Sequence, residues 1–324
     1  MLHKIWRNES FSLSLHHNNQ ITKTMNQSIQ ERAFQICQQN GLDFNISKRG
    51  LYDGQGNVSG YYGLWNDKAD VCIHTVKEGY VVSQNQELIE MVLQGIEPYG
   101  NGLKVTKAGA MNVGRKVYIQ LAIEGEALVG NDVIKKYITI IDSNDGSTSL
   151  SVGIGDVTMS CSNQFYRFYR KGNKVRHTAT LAQKLNELPS LIDTAMKQSM
   201  KQMKAYEVFA DTQIADNVVH QLVKEVLGYD REYTSVKDLS EKSTRAINKM
   251  NDLYACIESE MAEKGKNLWG LHSGVTYFTT HKNSAPKREN GRMESIMLGG
   301  GYTMNLKSFE FALSKANVEE MELV

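Results

Sequence analysis

The chain has 324 residues, 41% hydrophobic and 23% charged, the balance of a folded globular protein with room for one large domain or two. Thirty-seven Lys and Arg against 36 Asp and Glu leave a net charge of +1, so no global field announces a polyanionic partner. No apolar run approaches the roughly 20 residues of a membrane span, and the polar residues after Met1-Leu2-His3-Lys4-Ile5-Trp6-Arg7 give no expectation of a secretory leader. Cys37, Cys72, Cys161 and Cys256 stand far apart, without a Cys-x-x-Cys pair. That spacing points to reduced thiols in the cytoplasm and to neither a disulfide framework nor a zinc site.

The first thirty residues are polar with little period, as in an extended arm or a helix that needs a neighbour, and a helix is expected over Ile29–Asn40, stopped by Gly41. From Leu51 the period changes. Asp53-Gly54-Gln55-Gly56-Asn57 is turn chemistry, and Tyr61–Trp65, Val71–Val76 and Tyr80–Ser83 are short β-branched and aromatic runs. A helix at Gln86–Leu93 precedes four strand candidates, Leu103–Ala108, Lys116–Ile123, Lys135–Ile141 and Ser149–Met159. In the second of these Val117, Ile119, Leu121 and Ile123 alternate with Lys116, Tyr118, Gln120 and Ala122, the pattern of a sheet with one buried face.

After Ser162 the chain turns helical. Leu181, Leu185 and Leu188 share a face, Pro189 opens a second helix, and further helices are expected at Ile214–Leu227 and Glu241–Glu263. Leu268–Thr279 reads as helix or strand. The fold class is α+β: an antiparallel multi-stranded sheet in the first half packed against a helical second half. The expected divisions are a polar arm and helix (1–50), a sheet-rich core (51–165), a helical region (166–265), and a segment returning to the core with an acidic tail, Val318–Glu322 (266–324).

Charge is unevenly placed. Nine basic residues between Tyr166 and Lys204 face only Glu187 and Asp193, a local excess of seven. Phe165, Tyr166, Arg167, Phe168, Tyr169, Arg170, Lys171, Lys174 and Arg176 interleave rings with cations. That composition suits a single strand whose bases stack while its phosphates are neutralised. It equally suits a sheet-to-helix junction with core rings and solvated charges. Lys197, Lys201 and Lys204 fall at i, i+4 and i+7, a basic stripe on one helix face. Lys282, Lys287, Arg288 and Arg292 make a second patch, either a backbone clamp or an ordinary solvated loop.

Other motifs read as structure. Asp142-Ser143-Asn144-Asp145-Gly146 lacks the glycine and glutamate spacing of a calcium loop and fits a hairpin turn. Gly153-Ile154-Gly155 lacks the third glycine of a dinucleotide fingerprint, and Gly299-Gly300-Gly301 reads as a turn. His74, His177, His220, His272 and His281 share no metal-ligand spacing. Cys161 near His177 could be read as a nucleophile and base, but a buried cysteine at a strand end is the commoner case; no constellation meets the tests of an active site, so no cofactor is expected and catalysis is disfavoured.

Six stretches carry a family resemblance: Gly79–Glu87, Gly114–Tyr118, Asp142–Thr148, Val157–Asn163, Arg176–Thr178 and Asn267–His272. In this order they resemble the phage/plasmid-like proteins classed as a domain of unknown function. Cys161-Ser162-Asn163 and the long polar arm depart from that pattern. The resemblance implies a mobile-element setting and supplies no catalytic residue. The order of elements is also similar to the core of single-strand annealing recombinases, a fold-level analogy. Two functions are therefore expected as alternatives. One is a homo-oligomeric nucleic-acid binder favouring single-stranded DNA, with an annealing role in recombination. The other is a protein-interaction module of a mobile element, such as a host-defence antagonist, with a host protein as partner. Neither has a membrane role.

Overall fold

The computed structural model describes residues 29–160, 162–168, 186–288 and 290–316, and the backbone of 174–175. The first described element, α1 (29–39), ends as Asn40 and Gly41 turn, with Gly41 at φ 66°. Ile29, Ala33 and Cys37 form its buried face. Strands β1 (Ile46–Tyr52), β2 (Val58–Asn66) and β3 (Val71–Lys77) make a three-stranded antiparallel sheet in that order. Its first turn is held by Asp53, whose carboxylate accepts the backbone N–H of Gln55 and Asn57. Tyr80–Ser83, expected as a strand, is an extended link without a ladder. Tyr80 is tied down instead by donating its hydroxyl to the Ser143 carbonyl.

Helix α2 (Asn85–Ile96) buries Leu88, Ile89, Val92, Leu93 and Ile96 and leads through a 3-10 turn into the main sheet. Strands β4 (Leu103–Met111), β5 (Lys116–Val129), β6 (Asp132–Ser143), β7 (Leu150–Thr158) and β8 (Gln164–Phe168) lie in sequence order, all antiparallel. The short β9 (Lys174–Val175) also pairs β7. As expected, Asn144-Asp145-Gly146 lies in the turn joining β6 to β7, with Asp145 accepting the Ser147 N–H. The boundary expected at residue 165 falls inside β8.

The helical half comprises α3 (Leu188–Asp211), α4 (Asp216–Leu227), the short α5 (Val236–Ser240), α6 (Thr244–Lys264), α7 (Leu268–Tyr277) with a π turn (Phe278–Lys282), α8 (Gly291–Leu298) and α9 (Gly300–Lys315). Caps explain several starts: Ser243 accepts the Ala246 N–H, Asn267 accepts the Gly270 N–H, and Pro189 sits in the first turn of α3. The ambiguous 268–279 segment is helix because Asn267 caps it and its residues are buried on all sides, where a two-residue period has no meaning.

The main sheet is covered on both faces. Ile119, Leu121, Ile138, Ile140, Val152 and Ile154 join one core with α2 and α3. On the reverse, Tyr118, Ile141 and Tyr166 meet Ile296 and Met297 of α8. The expectation of one exposed face is therefore corrected: Tyr118 and Gln120 are 2% and 5% exposed. Gln120 is compatible with that position because it donates to the Tyr166 hydroxyl at 3.0 Å. A further core, built from Phe165, Tyr206, Phe209, Leu253, Trp269 and Phe309, joins β8 to α3, α6, α7 and α9. No helix among the described residues is long and apolar enough to cross a membrane.

Candidate functional site

The interleaved aromatic and basic stretch does not form an open stacking surface where it is described. Phe165 is 4% exposed, lying edge-on to His272 and stacked at 5.3 Å on Phe309. Tyr166 is 1% exposed, its ring over the bare backbone of Gly155. Bases cannot reach either ring, because strand alternation sends Phe165 into one covered face and Tyr166 into the other. Gly153 and Gly155 thus serve close approach by β8. The Arg167 guanidinium lies 5.0 Å from the Phe309 ring centroid, on the inward side with Phe165, and Phe168 packs against Tyr302. Lys174 contributes a backbone pair with Ser151. Tyr169, Arg170, Lys171 and Arg176, with Cys161 and His177, lie outside the described residues, as do the polar arm through residue 28, Leu181 and Leu185, and the acidic tail.

The lysine stripe lies on the outward side of α3. Lys197 and Lys204 are exposed and Lys201 is half-buried, while Lys197 pairs with Asp193 at 2.8 Å. An exposed pair of this kind is screened and contributes little.

The second basic patch divides. Arg292 turns inward and donates to the carbonyls of Thr279 and Asn283, so it holds the π turn. Lys282 and Arg288 face a groove, and Lys287 is exposed beside it. This groove has two lobes of about 410 and 390 Å³ that share Lys249, Asn283 and Ser284. The larger lobe adds Lys116, Arg288, Glu294 and the Gly299-Gly300 junction between α8 and α9; the smaller adds Arg245, Asp252, Phe278 and Lys282. Five cations thus face two carboxylates.

Pairing within the groove is uneven. Glu294 accepts two hydrogen bonds from Arg288, at 2.9 and 2.6 Å, and lies 3.4 Å from Lys116. Lys249 is half-buried on α6, one turn beyond Arg245. Burial, then the Arg245 charge, push its ammonium below the usual lysine range. Burial is the larger cause and the Arg245 charge adds to it, so an anion entering the groove would favour the charged form of Lys249. Sequence inspection found Lys282 and Arg288. It missed Lys116, at the start of a strand, and Arg245 and Lys249, whose only signal was a lysine four residues after an arginine on a helix.

A second polar assembly is closed. Lys264, with its side chain 3% exposed, pairs with Asp132 at 2.8 Å and Glu260 at 3.6 Å, and Trp269 Nε1 donates to Asp132 at 2.7 Å. Asn163 donates to Glu260 and to the Ser273 carbonyl. Burial raises the Glu260 carboxyl against the opposing pull of Lys264. This network clasps Asn163, from one resemblance-bearing stretch, to Trp269, from another. With so little surface it acts as a structural clasp. His220 Nδ1 lies 2.6 Å from the Tyr254 hydroxyl, which also donates to the buried Asp230. Among the described residues no three His, Cys, Asp or Glu side chains converge as a metal site.

A family model described as a domain of unknown function (DUF932) matches residues 72–297. Neither a curated protein nor a solved structure matches the chain.

Proposed function

Because the chain belongs to the DUF932 family, whose description names no activity, we propose a function from the groove: it captures the phosphate backbone of nucleic acid without reading bases. The observation that carries this reading is the convergence of Lys116, Arg245, Lys249, Lys282 and Arg288 from one strand, one helix, the π turn and one loop, against Asp252 and Glu294. Backbone capture needs cations at spacings that match successive phosphates and no base-specific donors. The exposed Lys197 and Lys204 give α3 a further basic face. Since Phe165 and Tyr166 are enclosed, electrostatics must supply most of the affinity. Single-stranded DNA is the first probe, with annealing and homo-oligomerisation as the further properties to examine once binding is measured.

The test is anisotropy of labelled single-stranded DNA, duplex DNA and RNA titrated with protein across a salt series. If four phosphates are engaged, log K should fall with log salt at a slope near −3 for a single strand, about 0.7 per phosphate. A combined Arg245→Gln, Lys249→Gln and Lys282→Gln variant should bind at least roughly tenfold more weakly, with the slope shallower by about 2. Arg245 and Lys282 are exposed, so this variant should retain the native melting temperature within a few degrees. Unchanged affinity and slope in the folded variant would remove the groove from the interface.

A further inference from the structure

We infer that the larger lobe of the groove contains a phosphate seat formed by Arg288 and Lys116, which Glu294 fills in the free protein and from which an incoming phosphate oxyanion displaces it. This rests on the reading of the groove as a backbone-binding surface and adds where a phosphate sits and what competes for the place.

The geometry carries the argument. Arg288 presents Nε and Nη2 together to Glu294 Oε2, at 2.9 and 2.6 Å. That edge of the guanidinium is the fork that takes carboxylates and phosphates alike. Lys116 Nζ approaches the other carboxylate oxygen at 3.4 Å. Two cations from separate elements, the start of β5 and the loop before α8, therefore converge on one anion. A tetrahedral phosphate offers oxygens to both at once.

The surroundings favour exchange. The Arg288 side chain is 45% exposed, whereas that of Glu294 is 12% exposed, so the outer half of the clamp is already open to the groove. Lys249, Ser284 and Ser295 line the same lobe and supply a third cation and two hydroxyls. With Glu294 in place that lobe still carries three cations against one carboxylate. Helix α8 is anchored on the main sheet by Ile296 and Met297, so the carboxylate can swing away by side-chain rotation while the helix stays docked. In the first turn of α8 the displaced carboxylate keeps a favourable interaction with the helix dipole.

The experiment compares the wild type with Glu294→Gln and with the milder Glu294→Asp, each checked for an unchanged melting transition. Two probes are used: a 5′-hydroxyl oligothymidylate, which has only internal phosphates, and inorganic phosphate. Removing one negative charge within a few ångströms of a bound phosphate should tighten oligonucleotide binding roughly tenfold in Glu294→Gln. The salt slope should stay within about 0.3 of wild type, because both forms engage the same phosphates and differ only in the competing carboxylate. Glu294→Asp should move in the same direction by a smaller factor. If the wild type binds the oligonucleotide and both folded variants bind equally or more weakly, the seat is refuted and the backbone-binding reading stands. If no form binds the oligonucleotide but the variants hold inorganic phosphate more tightly than wild type, the seat survives as a small-anion site and the backbone reading fails. If neither probe binds any form, both fall.

Discussion

Replacing Gly274 with alanine should cost about 3 kcal/mol of stability, and replacing it with leucine should prevent folding altogether. The reason lies in how closely α7 approaches α6. A Cβ added at Gly274 would stand 2.9 Å from the Ile257 backbone nitrogen and 2.8 Å from its Cγ1, and would also collide with the Ile257 Cα. One turn earlier, a Cβ at Gly270 would meet the Gly265 carbonyl oxygen at 2.5 Å and Met261 Cα at 3.1 Å. These obstacles are mostly backbone, which has no rotamer to escape into, so the helices must separate. Separation spreads, because α7 also sets Trp269 against Tyr206 at 4.7 Å and against Asp132, and His272 against Phe165 at 5.1 Å. Urea denaturation of Gly274→Ala beside Gly79→Ala, whose added Cβ meets nothing within 4 Å, gives the comparison. Equal midpoints for the two would show that backbone contact between α6 and α7 does not limit stability.

Much of this fold was legible because local signals agree with the final packing. The alternation of Val117, Ile119 and Leu121, Pro189 at the start of α3 and the Asn144–Gly146 turn each act within a few residues, and each reappears in place. Strand β1 escaped notice because Ser47, Lys48, Arg49 and Gly50 carry no apolar alternation; it exists by pairing with β2. The second cover on the main sheet escaped because α8 comes from far along the chain, and only its arrival turns Tyr118 and Gln120 into interior residues. The same distance effect governs the groove. A stretch close in sequence, such as Phe165–Phe168, is divided between faces by strand geometry, whereas Lys116, Lys249 and Arg288 become neighbours only through the tertiary fold.

Buried ionisable groups are the feature least visible in sequence, and two of them should set opposing pH dependences on stability. Asp156 lies in β7 beneath α3, accepting hydrogen bonds from Gln202 and from the Tyr206 hydroxyl. Burial dominates those bonds and pushes its carboxyl from 3.8 up to about 7. The folded state thus binds the proton more readily than the unfolded chain, so this stability is fully present below pH 3.8 and is lost as pH rises through about 7. His272 is the reverse case: burial holds its imidazole down to about 3, from 6.5. Its contribution is complete above pH 6.5 and is lost as pH falls toward 3. Between 3.8 and 6.5 the two slopes oppose each other, and wild-type stability from this pair should be nearly flat. Asp156→Asn keeps an acceptor for Gln202 and Tyr206 and cannot ionise. It should match wild type near pH 4 and exceed it at pH 8 by up to roughly 4 kcal/mol, the free energy of a displacement this large. His272→Gln should show the mirror image, gaining on wild type as pH falls below 6.5. Chemical denaturation of the three proteins from pH 4 to 8 reads the differences directly, since titrations common to all three cancel. An Asp156→Asn curve parallel to wild type throughout would mean that the Asp156 carboxyl is already ionised in the folded protein, and that Gln202 and Tyr206 compensate for its burial.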